Sequence, residues 1–547
     1  MKRLNGFAVA LALFGAINVI DAWTAFGGQA VDPPPTRFFL FSSWVFVRNT
    51  VGYSLLLASP ALFFGRFSRF LLLPALWYVA IIEAASFYSG HVFHANLSET
   101  WLPLLLDTSP QELRAFVAMS VTPTSTLGTV AFLAAVLFAS ALLWRARYPR
   151  VSLRSSAAGA AACAPFIVFN CIAMNMHFGI NQTRYTAFLY GGINSWLRFR
   201  GVVSACDAPV LPAAVSADAE KDALPSGVFV LGESSTRNSW HLYGYPRNTT
   251  PRMDRLCADG EAIRYDDVVG SQPDTVSALS LLLTDVTLDD MKNGKWNIAQ
   301  VLRRAGYRCV LVSNQHSWGD TTSVLYKLFN GCEKRIVLSL EFKDRSHYDE
   351  VIPPILEEEL GGNIPTIAFV HLAGIHYPVK DIHPSSETHF DDTVEPEPIA
   401  GLSDKSRDRI NRYDNGILYE DKVLGMIVDV LKARSGSSFM FFISDHGESP
   451  RASGWRIYTD NDIYELPAIF WFSDGYRSQF PDVVRKVRDA AGKRLQTDQM
   501  TTGLLELALI APCPEISDQA SFLDPSFKGR NPRTTNKGKS IYSKDAR

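Results

Sequence analysis

Three apolar runs in the second half of the chain end in residues that bind metals or move protons. "GVFVLG" runs into Glu233, "TIAFVHL" carries His371 and leads through Gly374 to His376, and "SFMFFIS" runs into Asp445 and His446. Short runs of this β-branched and aromatic content read as buried strands. A carboxylate at the end of such a strand needs a partner, because a lone charge away from water is costly. Carboxylate and imidazole together suit a borderline cation such as zinc, bound through nitrogen and oxygen. Each residue taken singly also fits a helix cap or a turn. Strands lying parallel in one sheet would bring all three polar ends to one edge, where ligands gather in folds of this kind.

The elements around these runs support such a sheet. Five apolar runs, "GVFVLG", "RCVLVSN", "TIAFVHL", "SFMFFISD" and "LPAIFWF", are separated by helical stretches such as "IAQVLRRAG" and "YEDKVLGMIVDVLKAR". That alternation predicts a mostly parallel sheet with helices on both faces. There is no internal repeat. From Asp524 the chain turns polar and basic, which predicts a loosely ordered tail over 524–547.

The first 200 residues differ in kind, being rich in Ala, Leu, Phe and Val and poor in acids. Five apolar segments lie near residues 5–25, 49–65, 70–90, 125–144 and 156–176. A helix needs ~20 apolar residues to cross a bilayer. The basic stretches "MKR", "GRFSR" and "RARYPRVSLR" would all lie on the cytoplasmic side. An odd number of spans then puts the rest of the chain outside, in the periplasm if the host is Gram-negative. The expected layout is a five-span domain over 1–180, with an interfacial segment near 91–123. A juxtamembrane segment and linker follow over 181–226, then the catalytic domain over 227–523. The formal net charge of −2 gives no electrostatic footprint for nucleic acid. The seven cysteines are Cys163, Cys171, Cys206, Cys257, Cys309, Cys332 and Cys513, none in a zinc-type CxxC pair. Cys309 with Cys332 is the expected disulfide if one forms.

The motifs in combination resemble the phosphoethanolamine transferases, membrane-bound members of the alkaline phosphatase and sulfatase superfamily. "GVFVLGESSTRNSWHLYGYPRNTTPRM" is similar to their opening motif, "HLAGIHYP" to their HxxGxHxP segment and "SDHGES" to their DHGES motif. "YDNGILYEDKVL" resembles the helix before the last of these, and the five-span layout is also theirs. The resemblance implies an α/β alkaline-phosphatase/sulfatase-like periplasmic domain behind a helical transmembrane domain in the bacterial inner membrane. It implies a zinc ion held by Glu233, Asp445, His446 and a nucleophilic threonine. Thr275, in "SQPDTVSALSLLLT", stands at the matching place, with Ser234 and Thr236 as other hydroxyls near the acid. A metal-bound hydroxyl is a competent nucleophile where a free one is not.

The same resemblance gives His376 a role at the transferring phosphoryl group, and His371 reads as buried. Thr108 and Glu112 match residues tied to the lipid substrate, although Leu104 replaces a polar residue nearby. The family's histidine downstream of DHGES is absent from "SPRASGWRIYTDNDIY", where Tyr458 falls near the place; His383 and His316 are candidate stand-ins. Ser271 and Leu281 occupy the positions where the family often has a disulfide around the nucleophile. The implied reaction moves phosphoethanolamine from phosphatidylethanolamine to lipid A or lipopolysaccharide core, by a monomeric enzyme, through a covalent threonine adduct. Other readings are a phosphoglycerol transferase, a phosphatase or sulfatase-like hydrolase, and an inactive membrane scaffold.

Overall fold

The computed structural model describes residues 5–27, 54–92, 123–148, 193 and 200–545, the last range without 208, 212–214, 218–222, 292, 317–323, 340–347, 376–382, 396, 452–460, 512–519 and 536–539. The chain forms two compact units, and Leu197–Arg547 belongs to the larger.

In the smaller unit, helices occupy Gly6–Gly27 (α1), Arg69–Val92 (α2) and Pro123–Arg145 (α3). They coincide with the first, third and fourth apolar segments of the sequence. The predicted second span is not one helix. Ser54–Ala58 and Pro60–Phe63 are separate short helices, followed by a 3-10 turn at Gly65–Ser68. Pro60 has no amide hydrogen to continue the first and instead opens the second. Gly65 then takes a positive φ of 54°. The predicted fifth span lies outside the described residues. Among the described residues one stretch, Gly65–Ala85, is long and apolar enough to cross a membrane, while Gly6–Asn18 and Val130–Arg145 are shorter apolar stretches. Phe14, Ala58, Leu72, Leu76 and Leu143 are buried together where these helices pack. Gly6 N donates to Arg147 O at 2.7 Å, and the Arg69 guanidinium lies 4.8 Å from the Trp144 ring.

The larger unit holds ten strands that concern the site. They are β1 (Ser226–Gly232), β2 (Ala262–Arg264), β3 (Asp267–Val269), β4 (Arg308–His316), β5 (Lys334–Ser339), β6 (Thr366–His371), β7 (Ser438–Ser444), β8 (Glu465–Leu466), β9 (Ala468–Phe472) and β10 (Arg494–Gln496). Seven form one sheet in the order β2-β9-β7-β1-β6-β4-β5, and β10-β3-β8 form a smaller one. The run from β7 to β5 is parallel, while β9 lies antiparallel to β7. Alternate strand residues enter two cores. Val228, Val230, Val370 and Phe442 pack on one face against Tyr413, Ile417 and Leu424 of the helix Asp404–Ala433. Phe229, Leu231, Phe369 and Phe441 pack on the other face against Leu279 and Leu282 of the helix Thr275–Leu283. In chain order these helices are α4 (Thr275–Leu283) and α5 (Asp404–Ala433). Burial on both faces is why these strands read as continuous apolar runs.

Two expectations are corrected. The stretch read as linker is in part packed on the domain. Val202, Cys206, Val215 and Leu224 are buried in its core, and Val210 N donates to Lys295 O at 2.8 Å. Spaced apolar residues anchored it despite the proline and charge between them. The tail is also not loose over its described residues. Arg533 is buried between Asp267 and Asp545, and the Tyr542 hydroxyl donates to Glu465. A polar composition concealed a fully paired buried cluster.

Candidate metal and transfer site

β1 and β7 are adjacent and parallel, with Gly232 beside Ser444. The next residue on each strand is therefore an acid, Glu233 on one and Asp445 on the other. Glu233, Asp445 and His446 each offer a ligand atom within 4.8 Å of the others. His446 Nε2 lies 3.3 Å from Glu233 Oε1 and 3.5 Å from Asp445 Oδ2. His446 Nδ1 is 2.9 Å from the Gly447 carbonyl. That contact fixes the ring hydrogen on Nδ1 and leaves Nε2 facing the carboxylates.

The turn after Glu233 is built tightly. Ser234 has a φ of 60°, unusual for a residue with a side chain. Three contacts hold it there. Its amide donates to Asp445 Oδ1 at 3.1 Å, its hydroxyl to Glu233 Oε1 at 2.8 Å, and its carbonyl accepts from the Tyr413 hydroxyl at 2.7 Å. One residue on, Ser235 bridges Ser444 and the buried Glu420, at 2.9 and 2.7 Å.

Thr275 opens α4, with Asp274 as N-cap accepting from Ser277 N at 3.0 Å. Its Oγ1 donates to Glu233 Oε2 at 3.1 Å. Of the other two hydroxyls, Thr236 Oγ1 turns away to the Glu465 carbonyl, at 3.2 Å. Ser234 stays beside the acid but is buried, whereas Thr275 is half-buried. Only Thr275 of the three combines contact with the acid and access from solvent.

The electrostatics are those of a cation site. Burial pushes the Asp445 carboxyl up to about 7, with the neighbouring Glu233 charge adding to it. Burial would lower His446, but the Asp445 and Glu233 carboxylates hold it well above the ordinary imidazole value. Asp445 Oδ2 is buried without a hydrogen-bond donor. Two dry carboxylates, one with an unpartnered oxygen, and an imidazole nitrogen aimed at both fit a zinc ion with N/O ligands.

His371 and His383 contribute no ligand atom to this group. His371, on β6 beside Leu231, is buried with Nε2 unpartnered, and burial pushes it down to about 4. His383 bonds to the Pro384 carbonyl at 2.9 Å. His376, Thr108, Glu112 and Tyr458 lie outside the described residues, as does the His316 side chain. No disulfide could join Ser271 to Leu281, and a different clamp stands there. Ser271 N and Oγ both meet Thr497 Oγ1 at 3.0 Å, and Ser271 Oγ donates to Asp498 Oδ1 at 3.1 Å.

One residue was missed. Gln315 Nε2 donates to Glu233 Oε2 at 3.1 Å and to the Leu372 carbonyl at 2.7 Å. The apolar run was read as ending at Asn314, but β4 continues through His316. An amide at the same edge as two acids was the available signal.

The sulfatase family model matches residues 225–509, just over half of the chain. The chain belongs to the sulfatase family. The matched sulfatase region contains Glu233, Thr275, Gln315, Asp445 and His446. This sulfatase-family chain is 29% identical over 277 residues to phosphoethanolamine transferase EptC of Escherichia coli K12, covering 47% of this chain and 48% of that protein. The chain spans about half the length of the curated relatives it matches. Among solved structures it is similar to the C-terminal periplasmic domain of Escherichia coli EptC in complex with zinc, with a TM-score of 0.53 and 25% identity over 59% of this chain and 92% of that one. It is also similar to the integral membrane protein lipooligosaccharide phosphoethanolamine transferase A of Neisseria meningitidis. There the TM-score is 0.61 at 20% identity over 93% of this chain and 96% of that one, a likeness of fold.

Proposed function

We propose that this chain is a zinc-dependent phosphoethanolamine transferase, anchored by its N-terminal helices in a bacterial inner membrane with the sulfatase-like domain in the periplasm. The observation that carries the reading is the Thr275 hydroxyl 3.1 Å from Glu233 Oε2, beside Asp445 and His446. Relatives named phosphoethanolamine transferases support the group transferred.

Glu233, Asp445 and His446 Nε2 would hold the zinc, with Thr275 Oγ1 completing the set. Zinc, when bound, supplies positive charge that favours an alkoxide and offsets charge on phosphoryl oxygens. Thr275 Oγ1 attacks the phosphorus of phosphatidylethanolamine. An oxygen–phosphorus bond forms at Thr275 as the bond to diacylglycerol breaks, and the glyceride leaves as its alcohol after taking a proton. A hydroxyl or phosphate of lipid A or lipopolysaccharide core then attacks the same phosphorus and frees Thr275. The N-terminus of α4 faces the anionic group favourably. The family resemblance gives His376 and Tyr458 a role at the transferring group and Thr108 and Glu112 a role in binding the lipid donor. The product adds an ammonium to an anionic surface, which weakens its attraction for cationic peptides such as polymyxin.

The test is the intact mass of the purified full-length protein after incubation with phosphatidylethanolamine, with fragment mapping, beside Thr275→Ala. The expected result is a phosphoethanolamine adduct on Thr275 that the variant lacks. An adduct on another residue, or wild-type transfer by the variant, overturns the assignment. A phosphoglycerol adduct in a parallel incubation with phosphatidylglycerol points to the related transferase, and release of free headgroup without an adduct points to the hydrolase.

A further inference from the structure

Cys309 begins the inner part of β4, and Cys332 lies in the turn before β5. Glu333 N donates to the Cys309 carbonyl at 2.9 Å, so the two segments are already clasped at this point. Both side chains are buried in the core on one face of the sheet, at 0% and 7% exposure. The two thiols are within hydrogen-bonding reach of each other. Cys257 packs against the core on the opposite face, and the Cys206 thiol meets Asn297. Among the described cysteines, the geometry therefore pairs Cys309 with Cys332.

We propose that Cys309 and Cys332 are joined by a disulfide in the native protein, closing a covalent loop that carries Gln315 to the site. The proposal rests on the periplasmic placement above, because that compartment is oxidising. A protein oxidant carrying a reactive disulfide is the co-reactant. The thiolate of one cysteine attacks it to form a mixed disulfide. The second thiolate then displaces the oxidant's cysteine. The S–S bond forms, and the oxidant leaves as a dithiol, reduced by two electrons and carrying the two protons that the cysteines gave up. Burial and the neighbouring thiol push Cys309 well up, so attack in the finished fold is slow and the bond forms before β4 and β5 close over it. The crosslink would tie edge strand β5 to β4 and restrict the segment between them.

The experiment uses the full-length chain in the inner membrane of a Gram-negative host. Free thiols are blocked with N-ethylmaleimide under denaturing conditions and the protein is digested without reduction. A linked Cys309–Cys332 peptide is expected. Maleimide on both residues, or a Cys206–Cys332 link, overturns the proposal. Placement is read in parallel from Asp259→Cys, an exposed position, with a membrane-impermeant maleimide in cells whose outer membrane is permeabilised. Labelling before lysis, together with free Cys309 and Cys332, overturns the disulfide alone. Labelling only after lysis overturns the placement and the disulfide with it. As a second measure, reductant should lower the melting midpoint of the wild type by roughly 5 °C and leave a Cys309→Ala/Cys332→Ala variant unmoved; an unmoved wild type also overturns the proposal.

Discussion

Gln315 and Glu233, 82 residues apart in the chain, share a hydrogen bond of 3.1 Å between the amide nitrogen and carboxylate Oε2. The same amide is tied to Leu372 O at 2.7 Å, so the side chain is held from two sides and orients the acid. Partners of this kind change metal affinity by ~10–100-fold when removed. Gln315→Leu is expected to weaken zinc binding by about that factor, read by competition against a chromogenic chelator. Wild-type affinity in the leucine variant would remove Gln315 from the site.

Gly374 supports the same acid through the backbone. It has a φ of 56°, and an added Cβ would come within 2.6 Å of Glu233 Cβ and 2.7 Å of the Glu233 carbonyl. Gly374→Ala must therefore displace the end of β1 or the loop after β6. Strain of this kind costs ~1–3 kcal/mol. The variant should melt at lower temperature and bind zinc at least ~10-fold less tightly, although Gly374 offers no ligand. A calorimetric scan with a metal titration checks both, and an unchanged midpoint would show that the loop yields freely.

The tail clasp gives a pH dependence with a definite sign. Burial pulls the Asp545 carboxyl up, and Arg533 with Arg494 overrides it, holding the group at about 2 against an ordinary 3.8. A depressed acid stabilises the fold above its unfolded value and loses that contribution as pH falls through its folded value. The window is thus from about pH 4 down to about pH 2, and the full contribution is ~2 kcal/mol. Denaturant unfolding of wild type and Asp545→Asn should differ most at neutral pH and converge in acid. A gap that stays constant below pH 3 would assign the effect elsewhere.

The polar strand ends were legible because a doubly covered strand is apolar throughout, so the first charged residue marks where it leaves the core. Glu233, Asp445 and His446 stood out on that ground. Gln315 did not, because an amide at a strand end looks like an ordinary turn residue. The order of strands was not legible either, since the adjacency of β1 and β7 depends on contacts made across the whole domain. The breaks at Pro60 and Gly65 lay in plain view but inside an apolar stretch, and hydropathy outweighed backbone chemistry. The tail misled for the opposite reason: Arg533 and Asp545 are as polar as any solvated residue, and only their mutual pairing buries them. The Ser271 clamp on Thr497 and Asp498 needs partners more than 200 residues away, which no local pattern reveals.

The pairing of β1 with β7 also sets a timetable. Ser234 and Asp445 are 211 positions apart. A chain made at ~5–20 residues per second exposes the first acid roughly 10–40 s before the second acid and its histidine exist. Until then no three-ligand pocket is available to capture an ion, and the hydroxyl at the head of α4 has only half of its surroundings. A chain stalled during synthesis therefore lacks the assembled group of Glu233, Asp445 and His446, which comes together only when the central strand pair closes.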